Sequence, residues 1–154
     1  MFKTLIWATD GSAAADRALP YVKSLALQND ATVIVVHSIE YVVDARSWAT
    51  EEELKDKFKR QVAELTNAGV DARLDIVGAK HLRPAHMIAD VARDVGADLI
   101  VVGTRGHAPI SELLLGGVTQ RLLHIAQCPV LAVPFVIQPG EAPLVTIADS
   151  AKTL

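Results

Sequence analysis

Two glycine clusters hold the residues of this sequence best suited to chemistry. Val101-Val102-Gly103-Thr104-Arg105-Gly106 ends an apolar run at a glycine and sets a basic side chain between two glycines. Nine residues later, counting from His107 to Leu115, Gly116-Gly117-Val118-Thr119 opens a helical pattern. Glycine lets the backbone come close to a ligand and adopt positive φ, and the first turn of a helix offers unpaired N–H groups to negative charge. Two such clusters closing on one another would grip a phosphate chain from two sides. A lone Gly-x-x-Gly is weak evidence, because glycines also simply end strands and start helices. What surrounds the clusters therefore decides their meaning.

A second turn of similar character, Thr9-Asp10-Gly11-Ser12, follows the apolar stretch 2–8. Asp10 is placed either to contact a ligand, or the metal ion that ligand carries, or to serve as a turn carboxylate at the start of the next helix. Arg105 and His107 read two ways as well, as phosphate contacts or as decoration of an exposed loop. His37 reads as a satisfied histidine at a strand end. His81, His86 and His124 lack metal-ligand spacing, and no cysteine cluster accompanies them. Cys128, before Pro129, reads as a small buried residue because no His–acid pair can be placed beside it.

Composition narrows the classes. The 154 residues fit one domain with a sizeable core, 51% are apolar, and no apolar run is long enough to span a bilayer. The start, Met1-Phe2-Lys3-Thr4-Leu5, leads directly into a strand-like segment, so no signal peptide is expected and the cytoplasm is the default compartment. One cysteine excludes an intrachain disulfide. A net charge of −3 without a basic block argues against a nucleic-acid surface, so the anion to be bound is expected to be small.

The elements that must position these turns follow from hydrophobic period. Residues 2–8 form a strand. Ser12 or Asp16 caps a helix whose apolar face is Ala18, Leu19, Val22, Leu25 and Ala26; Pro20 threatens a kink unless it falls near the start. Residues 32–37 are a β-branched run suited to a strand covered on both faces. After a loop over 38–49, Thr50 and Glu53 form a capping box for a helix with Leu54, Phe58, Val62 and Leu65 on one side. Pairs such as Glu51–Lys55 and Glu53–Lys57 read as its solvated face. Alternation at Val70, Ala72, Leu74 and Ile76 marks a half-exposed strand. Pro84 opens a helix that buries Met87, Ile88, Val91, Ala92 and Val95. Residues 98–102 and 129–133 are strands, 109–115 suit a short helical turn, and 117–126 a final helix.

Five strands alternating with four main helices predict an α/β fold: an open, doubly wound, five-stranded parallel sheet in the order 3-2-1-4-5 with helices on both faces. In that order the strand direction of travel reverses between strands one and four, where such sheets bind ligands. The loops after those two strands are the turns already singled out. Beyond residue 134 the texture changes, and 135–154 reads as a tail, either disordered or docked on a partner.

Residues 1–134 resemble the universal stress protein domain. Thr9-Asp10-Gly11-Ser12 is similar to its opening signature, and Asp98 to Gly106 resembles its Asp-Leu-Ile-Val-Met-Gly-x-Arg-Gly block. The most specific likeness is the pattern Gly, two residues, Gly, nine residues, Gly, then Ser or Thr; here Gly103, Gly106 and Gly116 match and Gly117 departs. In the nucleotide-binding branch the resemblance implies ATP or a related adenine nucleotide, with Mg. Ala8, Thr9, Asp10 and Ser38 would flank the adenosine and Gly103 the ribose. Gly106, Gly116, Gly117, Val118 and Thr119 would line the phosphates. Apart from the resemblance, the residues' own chemistry offers Arg105 and His107 as phosphate contacts and Asp10 as a contact to a nucleotide-bound Mg. The resemblance also implies a homodimer through strand 130–133. The function expected is an ATP-binding regulatory, stress-response protein. The alternatives are a slow ATP hydrolase, for which only Asp10 is an obvious base and no Walker lysine is present, and a nucleotide-free dimeric interaction module.

Overall fold

The structure, a computed structural model, describes residues 1–39, 50–78, 82–104 and 115–135. The chain runs β1 (Thr4–Ala8), α1 (Ala13–Asp16), α2 (Leu19–Asn29), β2 (Thr32–Ser38), α3 (Glu51–Asn67), β3 (Ala72–Val77), α4 (Pro84–Asp94), β4 (Leu99–Gly103), α5 (Gly117–Ile125) and β5 (Val130–Val133). All strand pairs are parallel and the order is β3-β2-β1-β4-β5, as the alternation predicts. Sequence 109–114 and the tail at 136–154 lie outside the described residues.

The central strands are apolar on both sides because both faces are covered. Leu5, Trp7, Val33, Val35, Leu99 and Val101 point to one face and pack with Leu19, Val22 and Ala26 of α2 and Leu65 of α3. Ile6, Ala8, Ile34, Val36, Ile100 and Val102 point to the other, against Ala85, Ile88 and Ala92 of α4 and Leu122 of α5. Alternate residues of a strand face opposite sides, so one continuous apolar run fills two cores. β3 is an edge strand, and its side chains are only partly buried. Val70 is buried but precedes the strand it was expected to open.

Two local expectations need correction. The segment after β1 is two helices, not one: Ser12 caps α1 by accepting from the Ala15 N–H at 3.1 Å, and the chain breaks at Arg17 and Ala18. The break puts Pro20 in the first turn of α2, where no intrahelical N–H is required and the ring fits without a kink. On α3 the capping box forms as expected, Thr50 N–H to Glu53 Oε2 at 2.8 Å and Glu53 N–H to Thr50 Oγ1 at 3.2 Å. The expected Glu51–Lys55 and Glu53–Lys57 surface pairs do not form. Glu53 is held by its cap, while Glu51 and Lys57 turn inward to other elements.

Asp98 fastens the amino-terminal edge of the sheet. Its Oδ2 accepts from the Lys3 N–H at 2.6 Å and the Thr4 N–H at 2.9 Å, binding the start of β1 to the approach to β4. Those two backbone donors, Lys3 first, hold the carboxyl below the usual value of 3.8. A lowered folded-state pKa contributes stability that is present above the unfolded value and is lost as pH falls through the folded one. Asp98→Asn is therefore expected to unfold at lower denaturant than the parent at pH 7, with the gap narrowing as acid titrates the parent below about pH 4. Denaturant midpoints for both proteins at several pH values check this; a gap independent of pH would contradict it.

Candidate functional site

At the carboxyl edge of the sheet Ala8, Val36 and Val102 stand side by side, Ala8 being in register with both neighbours. The next residues form a rim that is fixed by hydrogen bonds. Thr9 donates its N–H to Val36 O at 3.0 Å, its carbonyl accepts from His37 Nδ1 at 3.0 Å, and its hydroxyl oxygen accepts from the Gly11 N–H at 3.1 Å. A carbonyl only accepts, so Nδ1 of His37 carries the hydrogen. Asp10 Oδ1 accepts from the Ser12 N–H at 2.9 Å and closes the turn, which leaves the helix cap to Ser12. Ser38 ends β2 beside this rim, and its buried hydroxyl makes no hydrogen bond among the described residues.

Across the switch point, α5 is tied to the end of β4. The Thr119 hydroxyl donates to Gly103 O at 2.6 Å and the Gly116 N–H donates to Thr104 O at 2.6 Å. The first backbone bond across the helix start is Gln120 N–H to Gly116 O at 2.9 Å, and the cap residue Gly116 has no side chain to offer. Among the described residues the N–H groups of Gly117, Val118 and Thr119 thus have neither helical nor side-chain acceptors, the condition that attracts an anion. Thr119 differs from expectation in one respect. Its hydroxyl proton is committed to Gly103, and the residue is buried, so only its backbone donor is free to face a phosphate.

The roof over the β1 turn was not anticipated from the sequence. Gly11 has φ +80°, and a Cβ there would overlap Leu54 Cδ2 and come within 3.3 Å of Phe58 Cζ, so α3 rests directly on the turn. Lys57 Nζ donates to Gly11 O at 2.7 Å and to Asp16 Oδ2 at 2.6 Å, while Gln61 Nε2 donates to Asp16 Oδ1 at 2.9 Å. Phe58 lies against the His37 ring at 4.7 Å between centroids, and Glu51 Oε2 stands 3.3 Å from His37 Nε2. Lysine and glutamate at four-residue spacing look the same in sequence whether they face water or a loop from another element.

Of the residues singled out, Ala8, Thr9, Asp10, Ser38, Gly103, Gly116, Gly117, Val118 and Thr119 all lie at this one edge of the sheet. Arg105, Gly106 and His107 lie outside the described residues. Cys128 is half-buried and burial pushes its thiol up, which disfavours the thiolate needed for attack. Among the described residues no three His, Cys, Asp or Glu side chains gather as a metal site. No helix among them is long and apolar enough to cross a membrane.

The universal stress protein family model matches residues 1–134. The chain belongs to that family. A universal stress protein of Thermus aquaticus is 38% identical over 140 residues, covering 86% of this chain and 99% of the relative. The universal stress protein YxiE of Bacillus subtilis is 31% identical over 147 residues, covering 86% and 99%. Among solved structures, hypothetical protein MJ0577 superposes with a TM-score of 0.75 at 30% identity, covering 90% of this chain and 99% of that one. A universal stress protein solved in complex with cAMP superposes with a TM-score of 0.66 at 25% identity, covering 86% and 96%.

Within this universal stress protein, the positive φ and the contact with α3 make Gly11 the most constrained residue of the rim. Gly11→Ala is expected to destabilise the fold by about 1–3 kcal/mol, from left-handed strain and the overlap with Leu54. Chemical denaturation measures it, and an unchanged midpoint would show that α3 does not press on the turn.

Proposed function

We propose that this protein is a regulatory module that binds an adenine nucleotide, ATP with Mg foremost, in the crevice between the β1 and β4 turns. The observation that carries the reading is that the hydrogen-bonded Asp10 turn and the uncapped start of α5 flank the ends of two adjacent parallel strands. That is where an open α/β sheet takes its ligand. The relative solved with cAMP adds support from a protein of the same family. In the proposed complex Ala8, Thr9, Asp10 and Ser38 flank the adenosine, and Gly103 borders the ribose. The donors of Gly116, Gly117, Val118 and Thr119 meet the phosphates, joined by Arg105, Gly106 and His107. Asp10 is the carboxylate nearest a nucleotide-bound Mg.

Gly117 sets the strength of this binding. It withholds a hydroxyl that serine or threonine would offer, but its backbone N–H and the helix dipole remain. A Cβ at 117 would meet nothing within 4 Å, so a side chain is tolerated there. Calorimetry on nucleotide-free protein is expected to show ATP binding, and Gly117→Ser to tighten it about tenfold through the added charge-assisted hydrogen bond. Absence of heat at millimolar ATP would refute the proposed function. An unchanged dissociation constant in the variant would refute only the contact assigned to position 117.

The same reading makes the protein a homodimer through β5. This strand is the sheet edge beyond β4, and Leu131 on it is 36% exposed. An unpaired apolar edge is normally covered by another chain. Light scattering at micromolar concentration is expected to give twice the chain mass, and Leu131→Lys to give the single-chain mass. A parent protein of single-chain mass would count against dimerisation.

A further inference from the structure

A groove of about 570 Å³ opens between the start of α4 and the outer side of α5. Arg83, Ala85, Gly117, Val118, Arg121 and His124 contribute to its walls, and among the described residues no carboxylate does. Neither arginine has an ion-pair partner among the described residues, although the chain as a whole carries a net charge of −3. Two guanidiniums and an imidazole on one hollow, with no acid from the described residues beside them, make a local positive field on an otherwise acidic protein. The groove begins at Gly117 and Val118, the residues whose N–H groups lack acceptors, and is therefore continuous with the helix start.

We propose that this groove is a polyphosphate extension of the nucleotide site, in which Arg83 and Arg121 select adenine nucleotides by the length of their phosphate chain. The inference rests on the nucleotide-binding reading and deepens it. Arg121 lies one helical turn past Gly117, about 6 Å further along the axis of α5. A single phosphate held at the first turn satisfies the backbone donors and stops there. Further phosphates carry negative charge on into the groove, where Arg121 from α5 and Arg83 from α4 meet it from two sides. Arg83 is free for this work because it stands at the cap position of α4 and its side chain makes no capping hydrogen bond. The two arginines also supply by charge what Gly117 does not supply by a hydroxyl.

The test is calorimetric titration of AMP, ADP, ATP and inorganic triphosphate into the full chain and into Arg83→Gln/Arg121→Gln. In the parent, affinity is expected to rise from AMP to ATP. In the double variant ATP should weaken about tenfold, two exposed charge contacts being lost, with AMP unchanged. The AMP arm reports whether the variant still folds its nucleotide site. ATP binding that is equal in parent and variant overturns the groove and leaves the proposed function standing, as does an equal loss for AMP and ATP. Inorganic triphosphate binding as tightly as ATP also overturns the extension, because the groove would then read free polyphosphate without the adenosine. Failure of the parent to bind any of the nucleotides overturns both readings.

Discussion

The parallel pairing of β1 with β4 is the constraint on which the rest of this molecule depends. Ala8 and Val102 stand opposite one another although they are far apart in the chain, and the helices that follow the two strands, α2 and α5, pack on opposite faces of the sheet. A parallel neighbour cannot be reached by a tight turn, so each strand must be followed by a crossover connection that carries a helix. The result is a cleft between two diverging loops, made by topology before any side chain is considered. Asp98 reinforces that pairing from the opposite end of the strands, where it takes the N–H groups of Lys3 and Thr4.

Rim and roof are built by different physics. The rim is backbone: Thr9 spends its N–H, carbonyl and hydroxyl oxygen on neighbours, and Thr119 and Gly116 fasten α5 to the end of β4. Every such bond removes a degree of freedom from a loop that would otherwise have to be ordered on binding. The roof is side chain. Lys57 bridges the Gly11 carbonyl and Asp16, and Gln61 takes the second oxygen of the same carboxylate, so α3 and α1 are joined across the turn. With both lysine and carboxylate half-buried, this bridge is less screened than an exposed ion pair. It fixes the height of α3 above Gly11, where only a glycine fits.

What could be read from the sequence is what depends on near neighbours. The capping box at Thr50 and Glu53 and Pro84 opening α4 are rules that act within one turn of chain. Alternation of strands and helices with right-handed crossovers left few strand orders open, and the order expected among them, 3-2-1-4-5, is the one observed. Relations between elements were not legible. Lys57 and Glu51 satisfy the pattern of a solvated helix face, yet one reaches Gly11 across 46 residues and the other faces His37. The two readings left open for Pro20, a kink or a helix start, could not be separated in sequence, because the break at Arg17 and Ala18 that places it in the first turn of α2 carries no glycine or proline of its own. Arg83 and Arg121 sit on different helices, and nothing in their spacing announces a shared groove.

That groove bears on how a universal stress protein can change its ligand preference without changing its fold. A hydroxyl at the first turn of α5 recognises one phosphate oxygen by direction, and its effect is nearly independent of salt and of what lies further along the ligand. Guanidiniums one turn away recognise accumulated charge, with little demand on direction and with screening that falls off over about 8–10 Å at ordinary ionic strength. Gly117 lies at the junction of the two modes, open to solvent and free of steric contact. On the proposed reading, exchanging a directional contact for two diffuse ones shifts selection from the presence of a phosphate to the number of phosphates. The backbone of β4 and α5 is the same in either case, because Thr119 and Gly116, not residue 117, hold the helix to the strand. On the same proposal the scaffold is insulated from residue 117, so that position and the groove can vary while α5 stays fastened to β4.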